Sequence, residues 1–261
     1  MDRRAWLLSI VAALVVLAAV ALAVIPAQSL PTRSIQPSTI TPGTAPAPRS
    51  IAPADLYDAF GSPGKGMSFG QTVSTTVEEA GEVVLPSGRL VASDVFIIDA
   101  LPFTTTFPPG HHRVSVLRAD FANAAPRIAA AVVRVGAGEP VRWELALIAG
   151  QDPTTLGQDQ FFGYGVDGGT GCFTSPEATA RLRDPDTYER YSVALLEGLN
   201  PGGMAPPGTF AVEVDPGSGA NVVAFESGFG DGAYASFIGL DGTGRPLVVM
   251  TDFAVLDAVG A

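Results

Sequence analysis

Between Ala5 and Ile25 the chain runs for 21 residues with Ser9 as its one polar side chain. Coiled as an α-helix, at about 1.5 Å per residue, such a run is about 30 Å long, the hydrocarbon thickness of a bilayer. Nothing comparable follows it in 51–261, so a single transmembrane signal-anchor helix over residues 5–25 is expected. Arg3 and Arg4 precede it, and the positive-inside tendency keeps residues 1–4 cytoplasmic and puts the C-terminal side outside. The expected location is the cell membrane, single-pass, with an extracytoplasmic C-terminal domain. The competing reading is a signal peptide cleaved near Ala23 or Ala27, giving a secreted product. An apolar region longer than the usual ~7–15 residues favours the anchor.

Residues 26–54 carry seven prolines and eight Ser/Thr, with few large apolar side chains. They cannot bury enough surface to fold and are expected to form an extended linker. As polyproline II, at about 3.1 Å per residue, they would reach roughly 90 Å. Residues 55–261 then form the folded domain, long enough for one real core. The formal charge is −11. Removing the first fifty residues, with four arginines and Asp2, leaves 11 basic and 25 acidic residues, a balance of −14. Such a surface repels phosphate backbones, so nucleic acid is not an expected partner. Cys172 is the only cysteine, which excludes an internal disulfide and a Cys-rich zinc site.

Thirty glycines and 22 prolines suit short strands joined by tight turns. Val83–Leu85 and Leu90–Ala92 flank the turn Pro86-Ser87-Gly88-Arg89, and Val95–Ile98 follows. Arg113–Phe121 and Arg127–Val135 read as strands. Gly136–Pro140 reads as a hairpin into a strand over Val141–Ala149, whose alternation predicts a buried face of Val141, Trp143, Leu145 and Leu147. Ser175-Pro176-Glu177 is an N-cap signature, and Asp184-Pro185-Asp186 starts a second helix running to about Glu197. A loop over Gly198–Gly208 leads to four strands: Thr209–Val214, Asn221–Glu226, Ala233–Leu240 and Pro246–Phe253. Asp215–Gly219 and Asp241–Gly244 are their hairpin turns. The fold class expected is α+β, predominantly antiparallel β-sheet with one short helical segment at about 175–197, preceded by the transmembrane helix.

Two glycine-dense segments carry the candidate chemistry: Phe161–Phe173 and Ser227–Tyr234. Gly163–Gly168 matches G-x-G-x-x-G but does not sit between a strand and a helix N-terminus, so no dinucleotide site follows. Asp167 and Asp231 are each embedded in glycines. Brought together, these candidate catalytic carboxylates, with Asp252 and Glu144, could serve as acid and base or hold a cation; alone, each would accept turn N–H groups. Tyr164, Thr170, Asn221, Ser227 and Tyr234 are candidate ligand-binding residues. Cys172 has no base nearby in sequence, since His111 and His112 lie by a Pro-Pro-Gly turn, and is expected to be buried and inert. No cofactor and no metal site is expected.

Leu85–Arg89, Trp143-Glu144, Phe162–Asp167, Gly169–Phe173, Asn221, Ser227–Gly232 and Thr251-Asp252-Phe253 together resemble the uncharacterised bacterial family called domain of unknown function 4241, over roughly 80–257. This chain departs in having Gly168 where alanine is usual, and Thr174-Ser175 where an acid often follows Phe173. The resemblance implies a shared fold and no activity. The expected function is a binding or interaction module, tied to the membrane by its N-terminal helix and facing a protein or envelope component. The alternative is a hydrolase-type enzyme or cation-binding domain using the carboxylates of the two glycine segments.

Overall fold

The structure, a computed structural model, describes residues 39–40, 51–96, 100–157, 160–199 and 208–257. The apolar run Ala5–Ile25, the residues expected to continue a strand at Ile97–Ile98, and most of the Gly198–Gly208 loop lie outside them. Among the described residues no helix is long and apolar enough to cross a membrane.

Strand β1 is Thr39–Ile40. Helix α1, Pro53–Gly61, opens with proline where the missing N–H costs nothing. Strands β2 (Lys65–Ser68), β3 (Gln71–Leu85), β4 (Val91–Asp94), β5 (Gly110–Asp120), β6 (Arg127–Arg134) and β7 (Arg142–Leu145) follow. Next come β8 (Phe161–Val166), β9 (Thr170–Thr174), the helices α2 (Pro176–Arg181) and α3 (Pro185–Leu199), and strands β10 (Thr209–Asp215), β11 (Ala220–Glu226), β12 (Gly232–Leu240) and β13 (Pro246–Asp252).

All pairings are antiparallel, and they build two sheets. The larger runs β1-β8-β12-β13-β6-β5-β3-β2, with β7 beside β8 along the same edge of β12; the smaller runs β10-β11-β9-β4. The small sheet separates two cores, because its strands alternate between them. Phe173, Val223 and Phe225 face the large sheet. Cys172, Val222 and Ala224 face the other way, onto Ala178, Leu182, Tyr191 and Leu195 of the helices. In β6 every residue from Ile128 to Val133 is buried, the continuous apolar run of a strand covered on both faces. Leu56 and Tyr57 of α1 join the same core.

The β-rich expectation and the pair of helices split at Pro185 match the structure, as do the hairpins at Asp215–Gly219 and Asp241–Gly244. Four expectations are corrected. Helix is not confined to about 175–197, because α1 adds about two and a half turns over Pro53–Gly61. Val95 and Phe96 form a turn after β4 rather than a strand. Gly136–Pro140 is not a hairpin: both edges of β6 are taken, by β5 and β13, so β7 pairs with β12 instead. Val141 is consequently 73% exposed, and the buried residue of that segment is Ala146, with Trp143 and Leu145 half-buried.

Candidate functional site

The chain crosses from the large sheet to the small one between β8 and β9, through Asp167-Gly168-Gly169, and returns between β11 and β12, through Ser227–Asp231. The two crossings meet. Ser227 N–H donates to the Gly169 carbonyl at 3.0 Å, and Gly169 N–H donates to Asp231 Oδ1 at 3.0 Å. Within the second crossing Gly230 N–H reaches the Ser227 carbonyl at 2.7 Å, and Ser227 Oγ donates to the Gly230 carbonyl at 2.9 Å. Tyr234 Oη lies 2.7 Å from that same carbonyl and 3.2 Å from that of Ser227. Gly228 has φ +51°, and a Cβ there would stand 2.7 Å from the Phe253 carbonyl oxygen, so the turn rests directly on the chain after β13.

A residue that sequence reasoning passed over clamps the first crossing. Asp94, the last residue of β4, is 2% exposed. Its Oδ2 accepts from the N–H groups of Asp167 and Gly168 at 2.9 Å each, and Oδ1 accepts from Phe96 N–H at 2.7 Å. A buried carboxylate is tolerated where several N–H donors replace its water. The signal was present: an acid inside Leu90-Val91-Ala92-Ser93-Asp94-Val95-Phe96, with no polar neighbour beyond Ser93.

The candidate carboxylates are distributed as follows. Asp167 and Asp231 lie exposed on the two adjoining turns, Asp231 already holding Gly169 N–H. Asp252 ends β13, half-buried, with Oδ1 accepting from Ala254 N–H at 2.8 Å. Burial pushes its carboxyl up to about 6. Glu144 is exposed on β7 and pairs with Arg142 at 3.1 Å. It sits opposite Ile238, six positions along β12 from Gly232, about 20 Å at strand rise. The structure therefore does not bring Glu144 to the turns. Among the described residues no three His, Cys, Asp or Glu side chains are grouped to hold a metal ion.

The polar candidates are built into the frame. The Asn221 amide bridges the sheets, Oδ1 accepting from Val84 N–H at 2.8 Å and Nδ2 donating to the Glu82 carbonyl at 2.7 Å. It fastens β3 just past its bulge at Gly81. Thr170 is buried, its hydroxyl 3.4 Å from the Gly168 carbonyl. Tyr164 and Tyr234 are cross-strand partners with rings edge to face at 6.5 Å. Burial raises both phenols above their ordinary value, and the Thr251 side chain acts against it at Tyr164. Cys172 is buried, and burial with Asp94 nearby pushes its thiol up to about 12, which makes it inert. His111 and His112 begin β5 and point to opposite faces. His111 faces Glu82 at 3.4 Å, and buried His112 meets the Pro108 carbonyl through Nε2 at 2.7 Å.

Beside the second crossing stands an aromatic platform that no local motif announces. Phe229, at the tip of the turn, is 51% exposed; Phe69, at the tip of the β2–β3 hairpin, is 62% exposed. Their rings meet edge to face at 5.3 Å, and Phe121 joins Phe229 at 6.3 Å. The Arg127 guanidinium lies over the Phe229 ring at 5.6 Å. Phe69 takes φ +49°, uncommon for a side chain of its size. Asp257 ties that hairpin down through Oδ2 to Gly70 N–H at 2.9 Å and its own N–H to the Met67 carbonyl at 2.8 Å. These residues come from turns far apart in the chain, so only the fold assembles them. Elsewhere, a cavity of about 430 Å³ lies between α3 and β10, but its Arg181 is 3.6 Å from Asp215 and its Arg190 is bonded to the Asp186 carbonyl and Thr187.

The model of the family described as "Protein of unknown function (DUF4241)" matches residues 83–251. The chain belongs to the DUF4241 family. No curated protein and no solved structure matches the chain. The DUF4241 span contains Asp94 and both crossings, while α1, β2 and Phe69 precede it. In this DUF4241 domain Gly168 lies against Phe96: a Cβ there would sit 3.2 Å from the ring and 3.5 Å from Asp94 Oδ2. Ser175 caps α2 by accepting from Ala178 N–H at 3.3 Å, and Thr174 Oγ1 donates to the Asn221 carbonyl at 2.8 Å.

Proposed function

We propose that this DUF4241 chain is a membrane-tethered, extracytoplasmic binding module that engages a protein or envelope component through the Phe69–Phe121–Phe229 platform. The observation that carries the reading is how the carboxylates near the turns are used. Asp252 accepts from Ala254 N–H, and Asp94 and Asp231 accept backbone N–H groups of the first crossing, which ties the two crossings into one stiff support. Half-exposed rings on a stiff support suit recognition, because little conformational entropy is lost when they are covered. The apolar run 5–25, with Arg3 and Arg4 before it, supports the tether, and the −14 balance after residue 50 argues against nucleic acid.

A photo-cross-linking amino acid placed at Phe229 or at Phe69 in living cells tests this directly. The same discrete adduct is expected from both positions, and none from exposed Val141. Adducts of equal variety from all three positions, or none from either phenylalanine, would remove the platform from the account. Asp167→Asn and Asp231→Asn separate the enzymatic and cation-binding alternative. As a binding module, the domain keeps its adduct in the Asp167 variant; loss of that adduct with the fold intact points to the turn carboxylates as the working groups.

A further inference from the structure

We infer that the outer edge of β8 is a strand-addition site for an extended peptide, on which Thr39–Ile40 sit as a tethered placeholder. This surface is separate from the aromatic platform and does not depend on it. β8 ends the long path of the large sheet: β12 holds one of its edges, and the other carries only β1. The pairing is antiparallel and two residues long, Thr39 opposite Phe162 and Ile40 opposite Phe161. Among the described residues no strand pairs with that edge along Gly163–Val166.

A sheet edge left like this invites another strand, and proteins blunt such edges with lysine, proline, an inward charge or a bulge. Three other edge strands, β2, β7 and β10, do so, β7 with Arg142 and Glu144. β2 is four residues long and begins with Lys65. β10 carries Glu213 and Asp215 with a register shift between them. β8 reads Phe-Phe-Gly-Tyr-Gly-Val, with no charge, no proline and no bulge. Gly163 and Gly165 also present no side chain to a passing backbone. The part of the edge that is covered is covered by Thr39 and Ile40 alone, paired antiparallel as a peptide ligand would be. An added strand gains affinity from main-chain bonds and specificity from alternate side chains.

A two-residue pairing is weak, and it persists because the chain joins it to the domain. The segment between Ile40 and buried Ile51 is ten residues, and a tether that short holds its end at about millimolar effective concentration. A ligand pairing along all of Phe161–Val166 forms a longer ladder than the placeholder and displaces it. The −14 balance of the domain favours an uncharged or basic peptide.

The test uses the full-length chain in detergent, as wild type and as T39P/I40P, which removes both N–H donors in a segment already rich in proline. The probe is a fluorescent peptide of residues 36–43, compared with the same peptide N-methylated at the Thr39 and Ile40 nitrogens. The double variant is expected to bind the plain peptide about tenfold more tightly than wild type, since the tethered competitor is gone. Neither protein binds the methylated peptide. Amide exchange is faster in the variant at whichever of Phe161 and Phe162 turns its N–H toward β1. An unreactive Cys172 thiol shows that the variant is folded. Equal binding by the two proteins, binding that survives methylation, no binding by the variant at millimolar peptide, or unchanged exchange would each overturn the inference.

Discussion

Asp94 has three N–H donors arranged around a carboxylate that is 2% exposed. Replacing it with asparagine keeps the shape and leaves one acceptor oxygen where there were two, so buried N–H groups lose their partner. Asp94→Asn is expected to cost about 2–4 kcal/mol in urea unfolding, whereas Asp167→Asn, exposed on the turn, should stay within about 0.5 kcal/mol. A comparable loss in both variants would show that Asp94 is not the clamp. Asp252 behaves with the opposite sign. Its folded carboxyl is raised from 3.8 to about 6 by burial. The folded state therefore holds this proton more tightly than the unfolded one. Its contribution to stability is greatest below pH 4, falls as pH rises from about 4 to about 6, and is flat above that. Asp252→Asn keeps an acceptor for Ala254 N–H and removes the charge. It should flatten that slope and stabilise the protein at pH 7 by about 2 kcal/mol, read from thermal unfolding at pH 4 and pH 7. Asp241 runs the other way, lowered to about 2 by the Thr243 hydroxyl and the Arg245 amide. Its contribution is present above its ordinary value and lost only in strong acid. Both glycine-flanked aspartates were legible from residue type alone. The clamp was missed because an acid in an apolar run is normally read as a strand's solvent-facing member.

Elements whose signals are local were legible in the chain. Ser175-Pro176-Glu177 gave the α2 cap, and Asp184-Pro185 gave the start of α3, where Asp184 Oδ2 accepts from Thr187 N–H at 3.0 Å. Ser175→Ala should cost about 1 kcal/mol of stability by denaturant unfolding, and an unchanged midpoint would deny the cap. What was not legible depends on which edges and faces remain free. β3 is 15 residues long, and its first half is Gln71-Thr72-Val73-Ser74-Thr75-Thr76, polar enough to pass for a loop. Pairing with β5 along its length makes it a strand. The Gly136–Pro140 segment has hairpin chemistry, but Val135 and Gly136 N–H groups bond to the Leu247 carbonyl, which holds that chain on β13. The glycine segment Phe161–Phe173 looks like a loop and is mostly strand, β8 and β9, bent apart into different sheets. Gly228 marks where the return crossing touches the frame: Gly228→Ala meets both the positive φ and the Phe253 carbonyl. It is expected to destabilise by about 2–3 kcal/mol and to lose the Phe229 cross-link, while Gly242→Ala, with open space around it, does neither.

For the whole molecule, the core found in the described residues begins at Ile51 and extends through both sheets. The residues before it contain an apolar run of bilayer length and a proline-rich stretch. The pairing of the sheets and the meeting of Phe69 with Phe229 were not readable, since the first joins residues 62 and 137 apart and the second joins turns 160 residues apart. The account as a whole rests on the domain facing the exterior of the cell. The structure supplies a clean probe: Cys172 is buried and pushed up to about 12, so it is silent, and Val141 is 73% exposed, so a cysteine there is open to reagent. A membrane-impermeant maleimide added to intact cells carrying Val141→Cys is expected to label the full-length chain in the membrane fraction and to leave wild type unlabelled. Labelling of Val141→Cys only after the cells are broken would contradict the topology and the function built on it.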